Sequence, residues 1–525
     1  MNTVPLERRV VMLGVILAQV LFVPILVAAQ SQAFEVSPIV KRGDPSPDGG
    51  RFFDCADCQG RVIGLHAFNN RGDVAIAAEV VSGLCFSNRF LISRAESIRL
   101  ADFCQITEFG KLTFLGPVNI NDSGQAAINA GITIDNRIVE MLLLFSGGQL
   151  HQLVQEGDAS PIGTIFKGCG FGQPSINATG DVAFFACGET ADGVFSGDGI
   201  FKYSGGQITK VVTSLDPSPI GGQFLLNFIP AQAVQMNDRG DVLFQAGVFL
   251  DPFAKEKLGL FLATASGIRK IEVDEDSMPG NQIVKPDTFG FGDLNNSGDV
   301  VFAIGLAKGQ SDSGIFLRSG NQTDKIMAEG EPTPLGGKFA TLGGQSFLQP
   351  RINNAGAVAL RVNVTGGSAS SAIFLGSAKA LVKVAAVGDK LPTGGKIREI
   401  TSFALNDLAQ VAFYADVKNG PKGVFLATPV PPQITSIKLK HKKGSIQLRV
   451  NGSGMIPGDT VIEINGTPVG EIDYPADFRQ DGGLTTRVIS RDARLEQLMP
   501  EGQTVQVTVF NSLTNLRSLP IAVSR

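Results

Sequence analysis

Seven carboxylates recur along residues 34–428: Asp44, Asp102, Asp158, Asp216, Asp276, Glu331 and Asp389. Most sit in one Pro/Gly-rich motif, Gly43-Asp-Pro-Ser-Pro47, which returns as Gly157-Asp-Ala-Ser-Pro161, Asp216-Pro-Ser-Pro219, Glu331-Pro-Thr-Pro334 and Gly388-Asp-Lys-Leu-Pro392. Carboxylates gathered on one face attract a cation such as calcium, or a basic partner. The same residue type at a turn also caps it, by accepting a bond from a backbone amide. Glu331 fits the cap less well than Asp does, so both readings stay open. Calcium is the one cofactor candidate; otherwise none is expected.

The cysteines stand at 55, 58, 85, 104, 169 and 187, an even count. In an exported chain that favours disulfides. Cys169 and Cys187 flank one hairpin and are expected to pair, whereas the sequence does not set the pairing of Cys55, Cys58, Cys85 and Cys104. Cys55-Ala-Asp-Cys58 has the first spacing of a four-thiolate zinc site, but the later spacings are irregular. His66, His151 and His441 fall in separate units, so neither a histidine metal site nor a Ser/His/Asp triad is visible. No Gly-x-Ser-x-Gly elbow or phosphate loop is present, and no catalytic residue is assigned. With no Trp and three Tyr, the chain is poor in the amphipathic aromatics that stack on sugars. Arg-Gly-Asp begins at 42, 71 and 239, each time on a repeat turn where other copies carry Ser, Thr or Ala before the Gly. The Arg is therefore incidental.

The frame that positions these groups is a repeat. Its asparagines are Asn69, Asn121, Asn177, Asn237, Asn295, Asn353 and Asn406. Three residues on comes Gly72, Gly124, Gly180, Gly240, Gly298 or Gly356, and Ala409 in the last copy. Asn bonds its own backbone two residues on, and Gly takes the positive φ that closes a short hairpin with a bulge. Ala409 breaks the rule, so the last turn is expected to be strained or differently shaped. Seven residues after each Asn stands a large apolar side chain, such as Phe184 in Asn177-Ala-Thr-Gly-Asp-Val-Ala-Phe184, and the alternation between them is that of a strand. A second apolar strand follows in phase, centred on Phe90, Phe145, Phe201, Phe261, Phe316, Phe374 and Phe425. A Gly/Ser turn and a further strand come after it in most units.

Each unit thus offers four strands in about 56 residues, and sheets of that size bury both faces when packed radially, as in a β-propeller. The chain opens on a lone strand, Pro38-Ile-Val-Lys41, and the repeats end on a lone Gly423-Val-Phe-Leu-Ala427. Pairing of those two strands would complete one sheet and shut the ring. The expected fold is all-β: a seven-bladed β-propeller over 34–428, closed by its terminal strands. The crossovers share a face with loops of variable length, for example Cys187–Ser196 and Ala246–Lys257, and variable loops on a rigid frame are where contacts usually lie.

Residues 1–33 read as an export signal, with Arg8 and Arg9 before the apolar run Val10–Ala29 and small residues at Ser31-Gln-Ala33. An uncleaved run of that length would be the only membrane attachment. Its removal takes two Arg and one Glu, so the net charge of −4 becomes −5. A mildly acidic chain without a large basic block is not a nucleic-acid binder. Pro429-Val-Pro-Pro-Gln433 is a stiff linker. Residues 434–525 alternate as short strands and suggest a small immunoglobulin-like β-sandwich. Lys438, Lys440, His441, Lys442 and Lys443 form the one basic cluster, placed on a solvated hairpin or facing a polyanion.

Residues 34–428 resemble the bacterial exported tandem-repeat proteins that carry an Asn-x-x-Gly-x-x-Ala-Phe signature. The copy from Asn177 to Phe184 matches every fixed position. The resemblance implies a secreted, periplasmic or cell-surface protein and no particular activity. Val450-Asn-Gly-Ser-Gly-Met455 with Gly458-Asp-Thr-Val-Ile-Glu-Ile-Asn-Gly466 resembles an IPT/TIG domain, with Met455 where Phe is usual. Together these features favour a non-catalytic binding or scaffold protein whose partner is a protein or cell-surface polymer. The alternative is a calcium-dependent propeller hydrolase or lyase using the face carboxylates.

Overall fold

The computed structural model describes residues 32–47, 49–53, 64–80, 88–93, 96–190, 195–214, 216–226, 234–250, 256–340, 349–442, 445–475 and 482–525. Residues 1–31 of the expected export signal and Cys55, Cys58, Cys85 and Lys443 lie outside them, as do parts of the two variable loops. The described fold is all-β, with one short helix, Leu495–Leu498. None of its helices is long and apolar enough to cross a membrane.

Among the described residues between Phe34 and Pro429 the strands form seven separate antiparallel sheets that follow one another along the chain. Burial falls across each sheet and explains its sequence pattern. The second main strand of a unit, such as Val182–Glu189 or Val242–Phe249, is buried on nearly every residue and reads as a continuous apolar run. The outermost strand, such as Gln207–Thr213, is exposed or half-buried over its first five residues and buried only at Val212 and Thr213. Cross-strand pairs of large side chains fill the middle: Phe184 opposite Phe201, Phe244 opposite Phe261, Phe302 opposite Phe316 and Phe413 opposite Phe425. Three of these pairs stack at 27–28° between ring planes. In the second sheet the expected marker is displaced. Ile128 faces Leu143, while Phe145 faces Ala126, because Phe145 stands near the Gly147-Gly148 turn, two residues past Leu143, which takes the marker's place opposite the apolar residue of the repeat.

Neighbouring sheets share apolar cores in sequence order, and the last shares one with the first. In that core Val40, Ala412, Tyr414 and Leu426 pack with Phe52, Ile76 and Phe90. The seventh sheet is itself shared between the chain's two ends. Strand Phe34–Lys41 runs antiparallel to Gly423–Pro429, with Phe34 opposite Pro429 and Lys41 opposite Gly423. This is the propeller-like pairing of first strand with last.

Beyond Pro429 a three-residue connection leads into strand Gln433–Lys442. The stiff segment is therefore shorter than its composition suggests, with Gln433 already paired to Ser453. Two sheets follow and enclose a common core of Leu448, Val450, Met455, Ile462, Val488, Val507 and Val509. Met455 is fully buried there. The basic cluster lies on a solvated hairpin as expected: Lys438, Lys440 and His441 are exposed on the strand that, through Lys442, pairs with Ser445–Met455.

Candidate functional site

The seven repeat turns converge on one polar mouth of about 200 Å³, lined by six of the seven asparagines, all but Asn177, and by the residue that follows each of the seven. Asn237 shows how a turn is built. Its Oδ1 accepts from Arg239 N at 3.1 Å and Asp241 N at 2.9 Å, which fixes the loop, and Gly240 supplies a φ of +79°. Its Nδ2 donates to Asp241 Oδ2 at 3.0 Å and reaches the next turn, donating to the Asn295 carbonyl at 3.1 Å. The same reach joins Asn69 to Asn121 (3.1 Å), Asn121 to Asn177 (3.0 Å), Asn295 to Asn353, Asn353 to Asn406, and Asn406 back to Asn69 (each 3.3 Å). Six of the seven possible links are thus made, including the one from the last turn back to the first, whereas Asn177 Nδ2 donates to Asp181 within its own turn.

A second set of bonds links the turns in the same order. The amide after each Asn donates to the side chain one turn on: Asn70 to Asp122, Ala178 to Asp238, Asp238 to Asn296, Asn296 to Asn354, Asn354 to Asp407 and Asp407 to Asn70, at 2.7–2.9 Å. It breaks after Asp122, because Ala178 has no acceptor. Sequence reasoning missed these residues, although Asn or Asp at that position in all copies but one was the signal. Ala409 adopts a φ of +56° and keeps the turn's shape, with its amide donating to the Asn406 carbonyl at 3.1 Å. Of the two outcomes expected for the last turn, the structure shows strain and an unchanged form.

The crossover carboxylates are bound locally. Six of them accept the amide three residues earlier: Asp44 from Lys41, Asp158 from Gln155, Asp216 from Thr213, Asp276 from Val273, Glu331 from Ala328 and Asp389 from Ala386, at 2.7–3.0 Å. A cation on the neighbouring outer strand also meets most of them. Lys210 Nζ lies 2.9 Å from Asp216, Lys270 2.8 Å from Asp276, Lys383 3.1 Å from Asp389 and Arg99 3.3 Å from Asp102, and Lys41 and Lys325 pair with Asp44 and Glu331. Burial pushes the Asp216 carboxyl up, but Lys210 and Thr213 outweigh it and hold the group below its ordinary value. The recurring Lys six residues before the acid carried this information in the sequence.

Cys169 and Cys187 form the expected disulfide, with Cα atoms 5.6 Å apart. Such cross-links persist in oxidising compartments. Cys104 is a free thiol. His66 accepts a bond from the Val118 amide at 3.2 Å, and burial, then Arg89, lower its pKa to about 4, so the ring is a neutral structural acceptor. His151 is exposed and 3.3 Å from the Ser146 carbonyl.

One site lay outside the sequence reading. A cleft of about 550 Å³ opens where the C-terminal sheets dock on the flank of the ring, between Pro332-Thr-Pro334, Ser377–Leu381, Pro457-Gly458, Ile472–Tyr474 and Gly483. The docking is tight. Lys383 N donates to the Gly482 carbonyl at 2.8 Å, and a Cβ at Gly458 would lie 2.3 Å from the Lys379 carbonyl. Ile456, Leu484 and Leu513 enter the core of Ala380 and Val382. At the cleft wall Tyr474 Oη donates to the Thr460 carbonyl at 2.6 Å, and burial, then Asp459, push the phenol up to about 12.

Residues 100–424 match a family of unknown function, DUF7453. The chain belongs to that family. No curated protein matches it. Among solved structures, the DUF7453 chain is similar to PorZ, described as an essential surface component of the type-IX secretion system of Porphyromonas gingivalis. The two are 13% identical over 88% of this chain and 70% of that one, with a TM-score of 0.35. It is also similar to a protein of unknown function from Dyadobacter fermentans (9% identity, 75% and 98% covered, TM-score 0.30) and to the Dos1 propeller (10%, 75% and 95%, 0.36). Likenesses at these values carry no argument about binding or catalysis.

Proposed function

We propose that this DUF7453 protein is an exported, non-catalytic binding scaffold of the periplasm, cell surface or medium. Residues 34–428 form a closed seven-bladed propeller of the Asn-x-x-Gly-x-x-Ala-Phe kind, and 434–525 an IPT/TIG-like sandwich docked on its flank. The partner, a protein or cell-surface polymer, is held on the face of crossovers and variable loops.

One observation carries this reading: the carboxylates that an enzyme of this design would use are already capped by turn amides and, in most copies, paired with a cation. A capped and paired carboxylate has little capacity left for a calcium ion, which needs several free oxygens. The test uses the full mature chain and a variant with a two-residue Asn-Gly turn in place of 249–256. Binding to envelopes isolated from the producing cells should be lost in the variant, with its thermal midpoint unchanged. Undiminished binding, or calcium-dependent cleavage of a glycoside or ester panel by the parent, would overturn the proposal.

A further inference from the structure

The disulfide has an unusual neighbour. Cys187 lies on strand Val182–Glu189, directly opposite Asp198 on strand Phe195–Ser204. Side chains at such paired positions have Cβ atoms about 4.5–5.5 Å apart. On the other side of Val182–Glu189, strand Ile165–Phe171 departs from regular pairing. Phe166 faces Gly188 and Phe171 faces Ala186, so the residues between them bulge outward and carry Cys169 with them. Three adjacent strands therefore bring both sulfurs and a carboxylate oxygen within 4.8 Å of one another.

The two sulfurs meet different surroundings. Cys169 is exposed on the bulge, whereas Cys187 is 4% exposed. Asp198 is 1% exposed, and neither of its oxygens has a hydrogen-bond partner. A buried carboxylate without partners is costly when ionised. Burial accordingly pushes its pKa up to about 6, so it holds a proton over a wider pH range than an ordinary Asp. The other charged groups at the bulge are engaged: Lys167 pairs with Glu189 at 2.6 Å, and Glu140 accepts the Phe171 amide at 3.2 Å. Asp198 is thus the carboxylate placed to exchange a proton with sulfur.

We propose that Cys169–Cys187 is a thiol–disulfide exchange site, with the exposed sulfur of Cys169 as the point of attack and Asp198 as the proton donor and acceptor for Cys187. An external thiolate forms a bond to Cys169 Sγ and the bond to Cys187 Sγ breaks. The leaving thiolate is buried and badly solvated. The protonated Asp198 gives it a proton, which leaves a Cys187 thiol and a carboxylate. A second external thiolate then attacks the mixed disulfide and releases an external disulfide and the Cys169 thiolate. Two external thiols are oxidised to one disulfide and the protein pair gains two electrons, with both protons retained on the protein or returned to water. In reverse, the Asp198 carboxylate takes the proton from Cys187 to make the thiolate that closes the bond.

The test follows Cys169 and Cys187 in the full folded chain by differential alkylation and peptide mapping after dithiothreitol or glutathione. The pair should reduce and reoxidise well below the thermal midpoint, with the far-UV spectrum intact. Asp198→Asn should slow reduction by about 100-fold, the low end of what positioned proton transfer contributes. Cys187→Ser should trap glutathione on Cys169, whereas Cys169→Ser should leave Cys187 unreactive. Reduction only upon unfolding would make the pair a structural staple and overturn the proposal. So would equal rates in Asp198→Asn, preferential trapping on Cys187, or a reduced pair that retains zinc instead of exchanging. If Asp198→Asn fails to fold, the two serine variants still read the direction of attack.

Discussion

Ala409 is the residue on which the repeat's logic is most exposed. Its six counterparts are glycines at φ of +79 to +87°, and it adopts +56° with a side chain attached. An L-residue in that region is strained by roughly 1–2 kcal/mol, against which Gly loses more chain entropy on folding. Ala409→Gly should therefore stabilise the chain by about 0.5–1 kcal/mol net, read as a higher urea midpoint at unchanged slope. An unchanged or lower midpoint would show that the neighbouring turns absorb the strain. Only local geometry is involved, which is why the position could be singled out from sequence.

Among the elements, the crossovers and the C-terminal sheets give separate predictions. Asp216→Asn removes the negative partner of Lys210 and weakens the cap on Thr213. Hydrogen bonds to charged groups contribute about 1.5–3 kcal/mol, and the partial exposure of this pair and the amide's remaining acceptor reduce that to about 1. The expected outcome is a lower melting midpoint and no change in the response of the melt to added calcium. If instead the parent is stabilised by calcium and the variant is not, the acid is a ligand.

In the C-terminal sheets, Asp459 accepts the Leu513 amide at 3.1 Å, yet burial raises its pKa to about 6. A carboxyl raised in the folded state binds protons that the unfolded chain has lost, so its contribution falls as pH rises between about 4 and 6. The melt of the parent should lose stability over that interval. Asp459→Asn should flatten the loss by up to about 3 kcal/mol, about two units at 1.36 kcal/mol each. A parent profile that Asp459→Asn leaves unchanged would place the titration elsewhere, at Asp198 or Glu272, which burial also raises to about 6.

For the whole molecule, strand Phe34–Lys41 supplies an edge to the last sheet, and its Phe34 and Val40 enter two different cores. Its loss leaves the row of backbone groups on Gly423–Pro429 unpaired and opens the contact between the last sheet and the first. Deletion through Lys41 should broaden the thermal transition and lower its midpoint by more than Ala409→Gly raises it. A sharp transition at the parental temperature would mean that the sheets stand without their circular closure. The same closure is what gives variable loops a fixed base.

The count of turns, the Asn and Gly at each, the crossover acids and the pairing of Cys169 with Cys187 were all legible in the chain. Each is set within one hairpin or one crossover, where a residue type answers a local backbone need. The register of Phe145 was misread because two apolar positions on one strand compete for the same label and only the partner strand selects between them. The bonds of Asn70, Asp122, Asp238 and Asp407 to turns more than fifty residues away could not be read, nor could the meeting of Cys187 with Asp198 or the cleft beside Tyr474. Those depend on which sheets stand side by side and on strand register. The linear order of residues settled the parts, and packing between distant segments settled which side chains confront one another.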